Sequence, residues 1–69
     1  MHYQYFMKEK IRHLLAGKLI EKAETKMSLR RLIQIDGATD ERVNRLLDHL
    51  SSLEQDIEIL ETVLKQLKQ

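Results

Sequence analysis

The chain has 69 residues, about half a typical domain, so it holds one small folded unit and has no room for a large catalytic cleft. Hydrophobic residues make up 42% and charged residues 33%, with two Gly and no Pro, which favours long helices over a loop-rich or disordered chain. The absence of Cys excludes disulfides and thiolate zinc sites, and the formal net charge of +1 excludes a strongly basic or acidic chain overall.

The first predicted element is a helix over about residues 3–35. Because apolar steps of four drift by about 40° per step on a 3.6-residue helix, its stripe winds around the axis and leaves a second apolar patch beside it. Gly17 is a candidate kink and Ser28 a candidate cap for a new helix, but a continuous or mildly bent helix is favoured. The stripe consists of Met7, Ile11, Leu15, Leu19, Ala23 and Met27, followed in another phase by Leu29, Leu32 and Ile33.

A turn is predicted at residues 36–39. Asp36-Gly37 is the strongest turn signal in the chain, and Gly37 is placed to end the first helix in a left-handed conformation. Thr39 is placed to cap a second helix at its N-terminus.

The second helix, predicted over about residues 40–68, carries the most regular pattern. Its apolar residues recur at gaps that alternate between three and four through four heptads, which predicts a coiled-coil seam. The series is Val43, Leu46, Leu50, Leu53, Ile57, Leu60, Leu64 and Leu67.

The two helices are of similar length, so a tight turn predicts an all-α antiparallel hairpin, one domain over residues 1–69. Facing positions then have numbers that sum to about 75, which places Leu19 opposite Ile57, Ala23 opposite Leu53 and Ile33 opposite Val43. Residues 1–35 carry eight Lys or Arg and three Glu, whereas residues 36–69 carry four Lys or Arg and eight Asp or Glu. The same alignment brings the two charge types together, with Lys18 near Asp56 and Glu58 and Lys22 near Glu54.

A single seam between two helices buries little apolar area for a chain of this length, and such chains usually need another stabilising contact. We therefore expect dimerisation into a four-helix bundle, or docking onto another helical protein. The predicted contact surface consists of Ala16, Ile20, Met27, Leu47, Ile59 and Val63.

No catalytic, cofactor or metal site is predicted. Glu9 and His13 lie four residues apart on one helix face, but a closed metal site needs about four ligands, so an exposed ion pair is favoured. His49 is expected on a solvated flank, with a carboxylate across the bundle as its potential partner. The acidic residues of the second helix flank an aliphatic seam instead of projecting into it, which argues against an enzyme.

A basic ladder in steps of four, Lys18, Lys22, Lys26 and Arg30, supports an alternative function as a small dimeric nucleic-acid-binding regulator. Aromatic residues for base stacking do not interleave with it, and pairing with the acidic helix explains it equally well. The favoured function is a non-enzymatic adaptor or chaperone-like interaction module. Because the chain lacks Cys and a long apolar segment, we expect it in the cytoplasm and not in a membrane.

The N-terminal Tyr3, Tyr5, Phe6 and Met7 are expected to pack near Leu64 and Leu67, or alternatively to anchor another protein.

The layout resembles two groups of small hairpin proteins, plasmid copy-number regulators that bind paired RNA loops as dimers, and type III secretion chaperones. The likeness to the chaperones rests on Leu29-Arg30-Arg31 before the turn and on Ser52-Leu53-Glu54 with Ile57 and Ile59 after it. No diagnostic motif accompanies either likeness, so no functional residue is transferred.

Overall fold

The structure is a computed structural model that describes residues 2–35 and 39–67. Helix α1 spans His2–Gln34 and helix α2 spans Asp40–Gln66, close to the predicted bounds. Within the described ranges all regular structure is helical, and α1 and α2 pack against each other along their length. The predicted all-α hairpin is confirmed.

The start of α2 follows from its capping residues. Thr39 has extended backbone angles, φ −94° and ψ 150°, and its hydroxyl oxygen accepts a hydrogen bond from the Arg42 amide at 3.3 Å. Asp40 and Glu41 occupy the first turn, where negative charge opposes the helix dipole. The predicted role of Gly37 lies outside the described residues.

The helices are antiparallel, and the molecule is a rod with principal extents of 55 × 14 × 12 Å. Two ion pairs across the seam establish the direction, since the residue number falls on α2 as it rises on α1: Lys18 contacts Asp56, and Lys22 contacts Glu54.

The seam of α2 is the one that its heptads predict. All eight heptad positions are buried or half-buried, with Leu53 and Ile57 the most enclosed. These aliphatic side chains supply most of the apolar area that the hairpin removes from water.

The seam of α1 differs from the prediction in its central part and at its C-terminal end. Leu19 and Ile33 are exposed, at 46% and 63%, and Ala23 is exposed too, so the expected pairings of these three residues are wrong. The residues that turn towards α2 are instead spaced three and four apart, with polar residues in the middle. They are Lys8, Ile11, Leu15, Lys18, Lys22, Thr25, Leu29 and Leu32.

Thr25 is the buried polar residue of this seam, at 6% exposure. Its hydroxyl donates a 2.8 Å hydrogen bond to the Glu21 carbonyl one turn earlier, so its burial leaves no unsatisfied donor. Thr25 and Leu53 are both buried in the central part of the seam, whereas Ala23, which the sequence assigned to that part, is exposed.

Helix α1 continues through both candidate breaks, Gly17 and Ser28, as the favoured prediction had it. No helical stretch in residues 2–35 and 39–67 is both long enough and apolar enough to cross a membrane.

Candidate interaction surface

Two ion pairs and a histidine–carboxylate hydrogen bond cross between the helices and define the two flanks of the hairpin. Lys18 Nζ lies 3.1 Å from Asp56 Oδ2, and Lys22 Nζ lies 3.6 Å from Glu54 Oε2, so the predicted pairings with Asp56 and Glu54 are confirmed. His49 Nε2 lies 3.0 Å from Glu21 Oε2, which confirms a carboxylate partner across the hairpin.

Heptad positions assign these pairs to opposite sides of the seam. Asp56 and His49 are seven residues apart and therefore lie on one side of α2, here called the His49 flank. Asp56 and His49 each directly precede a seam residue, whereas Glu54 directly follows one. Glu54 therefore lies on the other side of α2, here called the Glu54 flank.

The basic ladder is divided by these contacts. Lys18 and Lys22 are half-buried seam residues whose ammonium groups contact carboxylates of α2. Lys26 and Arg30 are exposed, and neither makes an ion pair with a described residue. The ladder is therefore two seam cations followed by two solvent-facing ones, not a uniform row.

The outer side of α1 carries an exposed apolar sector, here called the α1 stripe: Ala16, Leu19, Ile20, Ala23 and Met27. At 100° per residue these positions lie about 80° to 180° from the centre of the seam, on the side of the Glu54 flank. An apolar sector of about 100° is the width that a helix normally buries against a neighbour. Here it faces outward, with Ile20 at 60% and Met27 at 52% exposure.

The predicted contact residues fall into two groups. Ala16, Ile20 and Met27 belong to the α1 stripe, and the exposed Leu47 lies on the Glu54 flank next to it. Ile59 and Val63 lie on the side of the His49 flank, so the hairpin separates them from the other four.

The predicted contact surface omitted two stripe residues. Leu19 was placed in the seam only, and Ala23 was placed both in the seam and in the second apolar patch of α1. The heptad spacing of the α1 seam is the sequence signal that could have identified both residues as exposed. Ile11 and Leu15 are in the same heptad phase as Leu29 and Leu32, which puts residues 19 and 23 outside the contact between the helices.

Tyr5 and Phe6 do not pack as the favoured prediction had it, and the side chain of Tyr3 lies outside the described part of the chain. Tyr5 and Phe6 are 63% and 69% exposed, and their rings contact each other edge to face with centroids 6.4 Å apart. Their positions around the helix explain this exposure. The first described side chain of the α1 seam is that of Lys8, and neither residue lies on that side of the helix. The alternative prediction, that these residues anchor another protein, stays a prediction.

The expected ion pair between Glu9 and His13, the candidate metal pair, is replaced by another contact. Glu9 accepts a 2.9 Å hydrogen bond from the Arg12 guanidinium, and His13 is exposed. Residues 2–35 and 39–67 contain no group of three or more side chains that could bind a metal ion.

No family model matches the sequence, and the searches of curated proteins and of solved structures give no match either.

Proposed function

We propose that this chain is a non-enzymatic protein-interaction module, a small adaptor or chaperone-like subunit, which dimerises into a four-helix bundle through the α1 stripe and Leu47. The observation that carries the proposal is the exposed apolar sector on the outer side of α1. A helix that presents apolar side chains in two separate directions has one surface for its hairpin partner and a second for another helix.

The surface area supports a second copy as the partner. The chain exposes 5647 Å², whereas a compact monomer of 8.2 kDa exposes about 4,500 Å². The difference of about 1,100 Å² is comparable with the roughly 800 Å² that each partner covers in a stable complex. A dimer therefore has enough exposed surface on each chain to form a stable contact.

The packing inside the hairpin supports the same conclusion. Among the described residues the buried hydrophobic ones are Ile11, Leu32, Leu53 and Ile57, which is a small core. Small chains without disulfides or a metal usually obtain the missing burial from association. The lack of Cys favours a reducing compartment, so we place this assembly in the cytoplasm.

Nucleic-acid binding by α1 is the weaker proposal. Two of its four cations, Lys18 and Lys22, already contact carboxylates, and phosphate binding would have to displace those contacts. Steeply salt-dependent binding of an RNA or DNA duplex by the full chain, lost when all four cations become Gln, would favour it instead.

Sedimentation of the full chain tests the proposal. We expect dimers of the wild type at micromolar concentration and monomers of the Ile20→Gln/Met27→Gln variant. In a symmetric interface each loss counts twice, so about 1 kcal/mol per side chain weakens dimerisation roughly a thousandfold. Because both side chains are exposed in the hairpin, its helical content should be kept.

Leu14→Gln is the matched control, since Leu14 is also about half exposed but lies on the opposite side, outside the proposed interface. It should leave the dimer unchanged. A wild-type chain that remains a folded monomer from micromolar to near-millimolar concentration would contradict the proposal.

A further inference from the structure

A shallow groove opens between the helices near the turn, with a volume of about 480 Å³. It lies on the His49 flank, because its residue Arg42 precedes His49 by seven positions. The groove is lined by Ser28, Arg31, Leu32, Ile35, Arg42, Arg45 and Leu46.

The groove combines three guanidinium groups with an apolar floor. Arg31 and Arg42 make no ion pair with any residue in the described ranges. Arg45 contacts Glu41 at 3.1 Å, but both side chains are more than 70% exposed, so that pair is weak and exchangeable. Leu32 is buried, Leu46 is half-buried and Ile35 is 60% exposed.

No carboxylate is among the described residues that line this groove. A second groove at the opposite end of the hairpin shows the contrast. There the cations Lys8, Arg12 and Lys65 share the lining with the carboxylate of Glu61. The second groove therefore has a carboxylate among its cations, whereas the charged side chains among the described lining residues of the first groove are all arginines.

We propose that the groove near the turn binds an acidic peptide segment in which carboxylates flank an apolar side chain. Guanidinium groups bind carboxylates through paired hydrogen bonds, and Leu32, Leu46 and Ile35 give the apolar side chain a surface to cover. This site is separate from the α1 stripe and goes beyond the proposed dimerisation.

Two other occupants fit the groove less well. A nucleic-acid backbone would use the arginines but would leave the apolar floor exposed, and no aromatic ring lines the groove for base stacking. A second copy would have to use carboxylates other than those of Glu54 and Asp56, which already contact lysines in their own hairpin.

Fluorescence anisotropy with the full chain tests the proposal. The probe is a short labelled peptide in which Glu residues flank a Leu, compared with the same peptide carrying Gln in place of Glu. We expect the Glu peptide to bind at least about tenfold more tightly, because each charge-assisted hydrogen bond that is lost weakens binding about tenfold. Added salt should weaken its binding.

Matched variants locate the site. Arg31→Gln and Arg42→Gln should each weaken binding about tenfold, whereas Arg30→Gln, at the neighbouring exposed arginine outside the groove, should change it less than twofold. Ile35→Gln should weaken binding several-fold, and Ile33→Gln, at an equally exposed residue outside the groove, should not. All five substitutions are designed at exposed side chains so that the hairpin stays folded, which circular dichroism checks.

Equal binding of the Glu and Gln peptides would overturn the proposal, as would equal effects of Arg30→Gln and Arg31→Gln. A short RNA duplex that binds more tightly than the Glu peptide and requires the same arginines would also overturn it, in favour of a nucleic-acid site. Sedimentation of the dimer is a separate readout, so failure here leaves the proposed dimerisation untouched.

Discussion

Leu53 is the most enclosed side chain of the core, at 2% exposure, and its truncation to Ala should cost more than any other single change in the seam. Removing a buried leucine costs about 2–5 kcal/mol. We expect the lower part of that range, about 2–3 kcal/mol, because only two helices surround the site and their side chains can close over part of the cavity. Unfolding 69 residues carries an entropy of about 0.14 kcal/mol/K, so Leu53→Ala should lower Tm by roughly 15–20 °C.

The assay is thermal unfolding followed by far-ultraviolet circular dichroism at one protein concentration, because association makes Tm concentration-dependent. Leu14→Ala is the control, since the same atoms are removed from a side chain that is 51% exposed. It should cost about 1 kcal/mol or less, equivalent to a decrease of at most about 7 °C. If Leu14→Ala lowers Tm as much as Leu53→Ala does, the seam is not where the stability of the hairpin resides.

Three further changes probe the cap, the helix interior and the ion pairs. Thr39→Ala removes the acceptor of the Arg42 amide and should lower Tm by about 7 °C, or about 1 kcal/mol, whereas Thr39→Ser should leave the melting curve unchanged. Gly17→Ala should raise Tm by about 3–7 °C, because a Cβ there meets nothing within 4 Å beyond the adjacent residues and backbone of its own helix, and Ala favours the helix; a decrease would contradict the open space around Gly17. A double-mutant cycle on Lys18 and Asp56, measured by urea unfolding, should give a coupling of about 0.2–1 kcal/mol that diminishes in 1 M salt, and a salt-independent coupling would argue against a solvent-accessible pair.

The sequence predicted α2 well because the residues that lie in its seam are also the ones that are apolar. Every seam position from Val43 to Leu67 is aliphatic, so the heptads are visible without any knowledge of α1. The cap at Thr39 was equally predictable, since the side chain and the amide that it accepts from are three residues apart.

The sequence predicted the extent of α1 well but the central part of its seam poorly, because the seam residues there are polar. Lys18 and Lys22 lie against α2 along their aliphatic stems while their ammonium groups contact carboxylates at the edge of the seam. A search for apolar residues passes over such positions and selects Leu19 and Ala23 instead. The predicted seam is therefore displaced by one residue in this part of α1, and it assigns exposed side chains to the core.

The groove near the turn illustrates a second limit of sequence reasoning. Arg31 and Arg42 belong to different helices, and only the hairpin brings them to one groove. Each was visible in the sequence as a surface cation, but the apolar floor between them is a product of tertiary packing.

Together with the short connection between Gln34 and Asp40, the Lys18–Asp56 pair favours one alignment of the two helices along each other. A row of leucines and isoleucines repeats every seven residues, so sliding α2 by one heptad would give a nearly equivalent aliphatic contact. That slide would bring Lys18 opposite Val63 in one direction or His49 in the other, and it would lose the carboxylate of Asp56 in both. The pair contributes little to stability, yet it distinguishes one alignment from its neighbours and so keeps the α1 stripe and the groove at fixed places on the rod.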